Sequence, residues 1–143
     1  MQHRALQAAS LAAFVISAAL ARTPAAACPV SRGAPLLLVS PELNPDVFLW
    51  DSSDRLVRYE TGDYDVETVL KHTTLVKAYS RAVAVSCKNT TIRPQYQPKA
   101  AGPFYLVGVK VATGRFRGRY GWVMSTDIRG PDGRQLTLQS QRH

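Results

Sequence analysis

The sequence is poor in the residues that carry redox chemistry, metal binding and nucleophilic catalysis. Of its 143 residues only two are cysteine and three are histidine, and Cys28 and Cys87 lie too far apart to form a Cys-x-x-Cys pair. Neither cysteine has a second Cys or a His at metal-ligand spacing. No Gly-x-Ser-x-Gly sequence marks a nucleophile elbow, and no acidic run has the spacing of a calcium loop. We therefore expect no metal site and no cofactor.

Acidic residues are missing from a long central stretch. Residues 68–126 contain ten Lys and Arg and no acid, whereas residues 42–67 contain eight acids and only two arginines. A strand-rich fold can interleave these stretches, so they need not occupy opposite faces. Part of the surface must still be strongly basic, either simply solvated or attracted to an anionic polymer, an envelope surface or an acidic partner.

Charge is also missing from residues 5–20, which follow a cationic start at Arg4. This apolar run is shorter than the roughly 20 residues that a membrane-spanning helix needs. Ala25 and Ala27 then occupy the two positions that signal peptidase inspects. We predict a cleaved signal peptide over residues 1–27, a secreted or periplasmic protein, and no transmembrane segment in the mature chain. Cleavage after Ala21 and lipidation of Cys28 are the two alternatives.

Removal of residues 1–27 leaves 116 residues with sixteen Lys and Arg against ten acids, a net charge of +6. That length suits one domain. Two cysteines in an exported chain predict one disulfide, between Cys28 and Cys87. In the chain-entropy model, closing a loop of about 60 residues stabilises the fold by roughly 4 kcal/mol.

Short runs of β-branched and aromatic residues, separated by turn residues, predict strands and no amphipathic helix. The predicted strands cover residues 36–39, 47–50, 56–59, 66–70, 73–79, 82–86, 106–112 and 121–124. Proline and glycine between residues 88 and 103 predict a long loop. We therefore expect an all-β domain over residues 28–129, a barrel or a sandwich, followed by a disordered tail over residues 130–143.

The segment from Gly108 to Val123 adds a resemblance to a known family. Its end, Gly121-Trp122-Val123 followed by a Ser-Thr-Asp-Ile sequence, resembles the closing strand of bacterial Src-homology-3-like barrels. In that family a strand enters a glycine-bearing turn, a Gly-Trp-Val strand returns, and a short helical turn comes next. The resemblance covers residues 108–128, and the proline of the family's early divergent loop has no counterpart in residues 49–53. It implies a small, partly open barrel and a non-enzymatic role in cell-wall targeting or protein interaction.

Cations alternate with aromatic rings over residues 115–120. If this segment is extended, its three arginines share one face, which suits carboxylates or phosphates. The predicted ligand-binding residues are Arg115, Phe116, Arg117, Arg119, Tyr120 and Trp122. The partner would be a cell-envelope polymer or a protein, and not nucleic acid, because the protein is exported. The alternative is a hairpin whose arginines are solvated while the rings at 116 and 120 pack inside.

Two enzymatic arrangements compete with this binding module, as does a purely structural envelope component. A small hydrolase would use His72 with an acid among Asp63, Asp65 and Glu67. A glycosidase-like pair would use Glu60 with Asp63. Because no sequence feature places these groups across a cleft, we predict solvated charges and no catalytic residues.

Overall fold

The computed structural model describes residues 28–92, 95 and 104–136. The predicted signal peptide, most of the predicted loop and residues 137–143 of the predicted tail lie outside the described residues. Within the described ranges, no helix combines the length and the apolar character needed to cross a membrane.

Seven antiparallel strands form one sheet that curls into a half-barrel. The strands are β1 (Pro35–Leu38), β2 (Asp46–Trp50), β3 (Thr73–Lys77), β4 (Arg81–Thr90), β5 (Phe104–Val111), β6 (Tyr120–Met124) and β7 (Ile128–Arg129). Their spatial order is β3-β2-β6-β5-β4-β1-β7. The prediction of a mainly β fold is confirmed at this level, and six of the eight predicted strands correspond to β1–β6.

The predicted strands over residues 56–59 and 66–70 are wrong, because both segments are helical. The helices are α1 (Ser53–Glu60) and α2 (Val66–His72). Each begins after a side-chain cap: Ser52 and Asp65 both accept a hydrogen bond from the backbone N–H three residues further on. Such caps satisfy amide groups that the first helical turn leaves unpaired, so they favour a helix in the segments that were predicted to be strands.

Alternation along β5 divides the apolar residues between two cores. Val107 and Val109 point to the inner side of the curl, whereas Leu106 points to the outer side, beneath α1. The inner core also contains Leu36, Leu38, Val47, Leu49, Val76, Val111, Val123 and Ile128. The outer core contains Trp50, Leu56, Val69, Phe104 and Met124. Burial of these side chains from water is the main force that holds the helices against the sheet.

A disulfide joins Cys28, which precedes β1, to Cys87 in β4, as predicted. The two Cα atoms lie 6.3 Å apart, within the usual range for a disulfide. Both cysteines pack against the inner core. Near the other end of the described chain, Leu136 also packs against this core. The inner core thus holds both ends of the described chain.

Gly121 sits where β6 passes close to the end of β2. A Cβ atom at this position would overlap the side chain of Leu49 and the backbone carbonyl of Trp50. Glycine at this position therefore allows the backbone of β2 to approach β6 closely. Tyr120 and Trp122, the two aromatic residues of β6 predicted to bind a ligand, flank Gly121 on the outward face of the strand.

Candidate functional site

The connection between β5 and β6 is a compact turn. The amide of Gly118 donates to the carbonyl of Val111 (2.8 Å), and that of Arg117 donates to Gly114 (3.2 Å). Gly114 and Gly118 have φ angles of +79° and +88°, a backbone conformation that glycine adopts readily in tight turns. The three arginines would share one strand face only if the segment were extended, and it is not extended, because these glycines fold it back first.

The turn nevertheless presents all of its arginines to solvent. Arg115, Arg117 and Arg119 are exposed and, with Tyr120, line a shallow depression. Phe116 is half-buried against the inner core, and the guanidinium of Arg115 lies 5.5 Å from the centre of its ring. Phe116 thus anchors the turn and is not a freely presented ring.

Tyr120 and Trp122 continue the cationic surface along β6. Tyr120 is 58% exposed, and the ammonium of its cross-strand neighbour Lys110 lies 5.2 Å from its ring centre. Trp122 is half-buried, and the ammonium of Lys88 lies 4.7 Å from its ring. These distances suit cation–π attraction. Lys88 and Lys110 were not predicted, although the inward valines on either side of Lys110 imply that it points outward.

We call this surface the basic face. It consists of Lys88, Lys110, Arg115, Arg117, Arg119, Tyr120 and Trp122. Within the part of the chain that the structure describes, no carboxylate forms an ion pair with any of its cations. Its positive potential is therefore left available to an external anion.

His72 binds a carboxylate, but not one of the predicted acids. Its Nδ1 lies 2.9 Å from Oδ2 of Asp51, which also accepts a hydrogen bond from Nη1 of Arg55 (2.8 Å). Burial would raise the pKa of Asp51, but these two partners outweigh it and lower the pKa. The cluster fastens the end of β2 to both helices, which is a structural task.

The three acids predicted to serve His72 are engaged elsewhere or point to solvent. Asp63 accepts from Nε of Arg58 at 2.9 Å. Asp65 caps α2, and the hydrogen bond from the Thr68 amide lowers its pKa. Glu67 is exposed in the first turn of α2. The structure therefore does not bring the predicted hydrolase residues together.

A cavity of about 550 Å³ opens beside the end of α1. Four acidic residues line it, and no Lys, Arg or His does so within the described ranges. The acids are Glu42, Asp46, Glu60 and Asp127. We call it the acidic cavity.

Aromatic rings form one wall of the acidic cavity. The ring of Tyr59 lies 5.0 Å from that of Trp50 and 6.1 Å from that of Phe48, edge to face with the latter. Phe48 and its cross-strand partner Leu75 also line the cavity and are 36% and 41% exposed. The cavity thus combines an apolar lip with acidic groups.

The glycosidase-like arrangement would pair Glu60 with Asp63, but the structure does not pair these two carboxyl groups. It lines the acidic cavity with only 6% of its surface exposed, and its Oε2 has no hydrogen-bond partner in the described structure. Asp127 comes from a single 3₁₀ turn, Ser125–Asp127, and its Oδ2 accepts from the amide of Met124 (3.2 Å). Local sequence could not indicate that Glu60 and Asp127 line the same cavity, because this depends on how the ends of α1 and β6 approach each other in the fold.

Both carboxyl groups are harder to ionise than usual. Burial, together with the charge of Glu42, raises the pKa of Glu60 to about 7. Burial and the charge of Glu60 raise the pKa of Asp127 to about 8, against smaller opposing effects of its hydrogen bond and of Arg129. Near neutral pH the cavity therefore holds protons that a bound cation could displace.

Among the described residues, no three His, Cys, Asp or Glu side chains are grouped to hold a metal ion. No family model matches the chain, and searches of curated proteins and solved structures give no match either. The resemblance to Src-homology-3-like barrels therefore stays a prediction.

Proposed function

We propose that this protein is an exported, non-enzymatic binding module that recognises an anionic ligand of the cell envelope through its basic face. The observation that carries the proposal is a set of cations that pair with no carboxylate among the described residues, beside the exposed ring of Tyr120. Guanidinium groups bind carboxylates and phosphates in a directed way, and an exposed ring adds apolar contact. A surface of this kind suits a glycan, peptide or protein partner that carries repeated negative charge.

The proposed location is outside the cytoplasm, after removal of residues 1–27. The Cys28–Cys87 disulfide supports it, because such bonds persist in oxidising compartments and are rare in the cytosol. The proposed ligand is consistent with that location, since envelope polymers are commonly anionic.

We further propose that the half-barrel is a divergent Src-homology-3-like barrel. The Gly-Trp-Val sequence lies on β6, and the 3₁₀ turn Ser125–Asp127 comes directly after it, in the order that the family pattern requires. The glycine-bearing turn before β6 supports the same assignment. In this arrangement the basic face extends from that turn along the outer side of the closing strand.

The test is co-sedimentation with isolated cell-wall sacculi and with phosphatidylglycerol vesicles. The triple variant R115S/R117S/R119S should lose retention, because it removes the cations of the turn. The matched control R32S/R58S/R134S removes the same charge from exposed arginines outside the basic face and should be retained. Equal loss of retention in both variants would show that net charge alone causes binding, which would contradict the proposal. Retention of the turn variant would also contradict it.

A further inference from the structure

We infer that the acidic cavity is a second binding site, which takes an organic cation: an ammonium or guanidinium group on an apolar stem. The inference does not depend on the basic face, because the two surfaces share no residue. It depends on one buried acid without a partner for one oxygen, a lining that contains several acids and no cation among the described residues, and an aromatic wall.

The buried acid is Glu60. Its side chain lines the cavity from the end of α1 and is more than nine-tenths buried, and Oε2 accepts no hydrogen bond from any described residue. A buried polar atom in this condition costs free energy, and a carboxylate costs more than a neutral group. A cation that enters the cavity supplies the missing donor and the opposite charge together.

The charged groups around Glu60 include no described cation that pairs with its Oε2. Glu42 and Asp46 line the same cavity, and Asp127 faces it from the 3₁₀ turn. Arg129 is the one cation whose charge lowers the pKa of Asp127. Its Nη1, however, donates to the backbone carbonyls of Thr126 and Ile128. The described residues thus provide several carboxyl groups and no cation inside the cavity.

The shape of the cavity selects an organic cation over a metal ion. The described acids are not grouped closely enough to share a metal, and a volume of about 550 Å³ is much larger than an ion requires. Phe48, Tyr59 and Leu75 give the cavity an apolar side. An alkyl stem can lie along that side, while ring faces attract the cationic head.

Binding should be linked to proton release. The titratable and charged groups around the site are Glu42, Asp46, Tyr59, Glu60, Asp127 and Arg129. Glu60, with a pKa of about 7, is about one-tenth ionised at pH 6 and nine-tenths ionised at pH 8. Affinity should therefore rise roughly tenfold over this interval. Asp127, with its pKa of about 8, also begins to ionise in the upper part of this interval, so it should add to the rise there and extend it to higher pH.

The experiment titrates the protein, expressed from its full sequence and purified with the disulfide formed, at constant ionic strength. The probes are n-butylammonium, butylguanidinium and N-acetyl-lysine methylamide, with n-pentanol as the uncharged control. Chemical shifts of backbone amides report binding. We expect saturable shifts at Phe48, Glu60 and Asp127 with the cations only, tightening about tenfold from pH 6 to pH 8. Tighter binding of the lysine derivative would assign the site to a basic peptide, and tighter binding of the plain amines would assign it to a free small cation.

Variants separate the site from general charge effects. Glu60→Gln and Asp127→Asn should each weaken cation binding, and Glu60→Gln should also reduce the rise between pH 6 and pH 8 to the part that Asp127 contributes. Glu67→Gln alters an exposed acid outside the cavity and should behave as wild type. The native amide spectrum of each variant verifies folding before titration. Equal binding of n-pentanol, or an unchanged pH dependence in Glu60→Gln, overturns the inference.

Discussion

Replacing Glu60 with glutamine should stabilise the protein at pH 8 and leave its stability nearly unchanged at pH 4. The Glu60 side chain is buried against the acidic cavity, and no described residue gives Oε2 a hydrogen bond, so its charged form is unfavourable in the folded state. Glutamine keeps the shape and a polar group but cannot ionise. The substitution therefore isolates the cost of the negative charge.

The rise in the pKa of Glu60 from 4.5 to about 7 sets the magnitude. Such a rise corresponds to about 3 kcal/mol of lost stability once the carboxyl is ionised in both the folded and the unfolded state. The sign comes from the direction of the shift. The favourable contribution of the protonated carboxyl is complete below the unfolded pKa near 4.5 and is lost as pH rises through 7. The advantage of Glu60→Gln should grow over that window, to a ceiling of about 3 kcal/mol.

Urea unfolding followed by tryptophan fluorescence, at pH 4, 5.5, 7 and 8 with the disulfide intact, measures this difference. The control is Glu67→Gln, which removes one exposed carboxylate and should track the wild-type pH profile. If Glu60→Gln changed the free energy of unfolding by the same amount at every pH, ionisation of Glu60 would not be the cause, and the argument from burial would fail.

Two further predictions concern the fold. Cys87→Ser opens a disulfide between residues separated by 59 positions. It should therefore lower the free energy of unfolding by about 4 kcal/mol and the melting temperature by roughly 10 °C or more. A melting curve like that of the oxidised wild type would refute the stabilising role of the disulfide. Gly121→Ala should cost about 1–3 kcal/mol, because the new Cβ would meet the backbone carbonyl of Trp50. Gly121 is not among the glycines with positive φ, so backbone strain would not explain such a loss, and an unchanged free energy of unfolding in Gly121→Ala would contradict the packing argument.

Much of the sheet could be predicted, because a strand displays its faces in the sequence. Val107, Val109 and Val111 alternate with residues of the outer face, and all three are buried in the inner core. The end of the described chain was harder to predict. Ile128–Arg129 is too short to show alternation, and it becomes a strand by pairing with β1.

The helices could not be predicted from apolar pattern alone. Ser52 and Asp65 are residues that favour both turns and helix caps, and the segments that follow them were predicted to be strands. The residues after the cap, and the contacts they make in the folded chain, decide whether a turn or a helix forms. In α1, Leu56 can reach the outer core only if the segment is helical, a contact that local sequence does not display.

The two candidate sites also differ in how far the sequence could predict them. The arginines of the turn were visible because they lie close together in sequence, although they do not lie along one extended strand. The acidic cavity was not visible, because Glu60 and Asp127 come from distant parts of the chain and meet only after β6 has paired with β2 and β5. A local motif search can therefore find the basic face but not the acidic cavity.

The topology explains why charge that is segregated in sequence stays segregated in space. The basic stretch includes β4, β5 and β6, which are consecutive in the chain and adjacent in the sheet, so their outward cations accumulate on one surface. The acidic stretch supplies β2 and the segments around it, including α1, whose end opens onto the cavity. The acidic stretch adds only β2 to the sheet, between β3 and β6, so β4, β5 and β6 remain side by side. One small sheet can therefore offer a cationic surface to an anion and an acidic cavity to a cation.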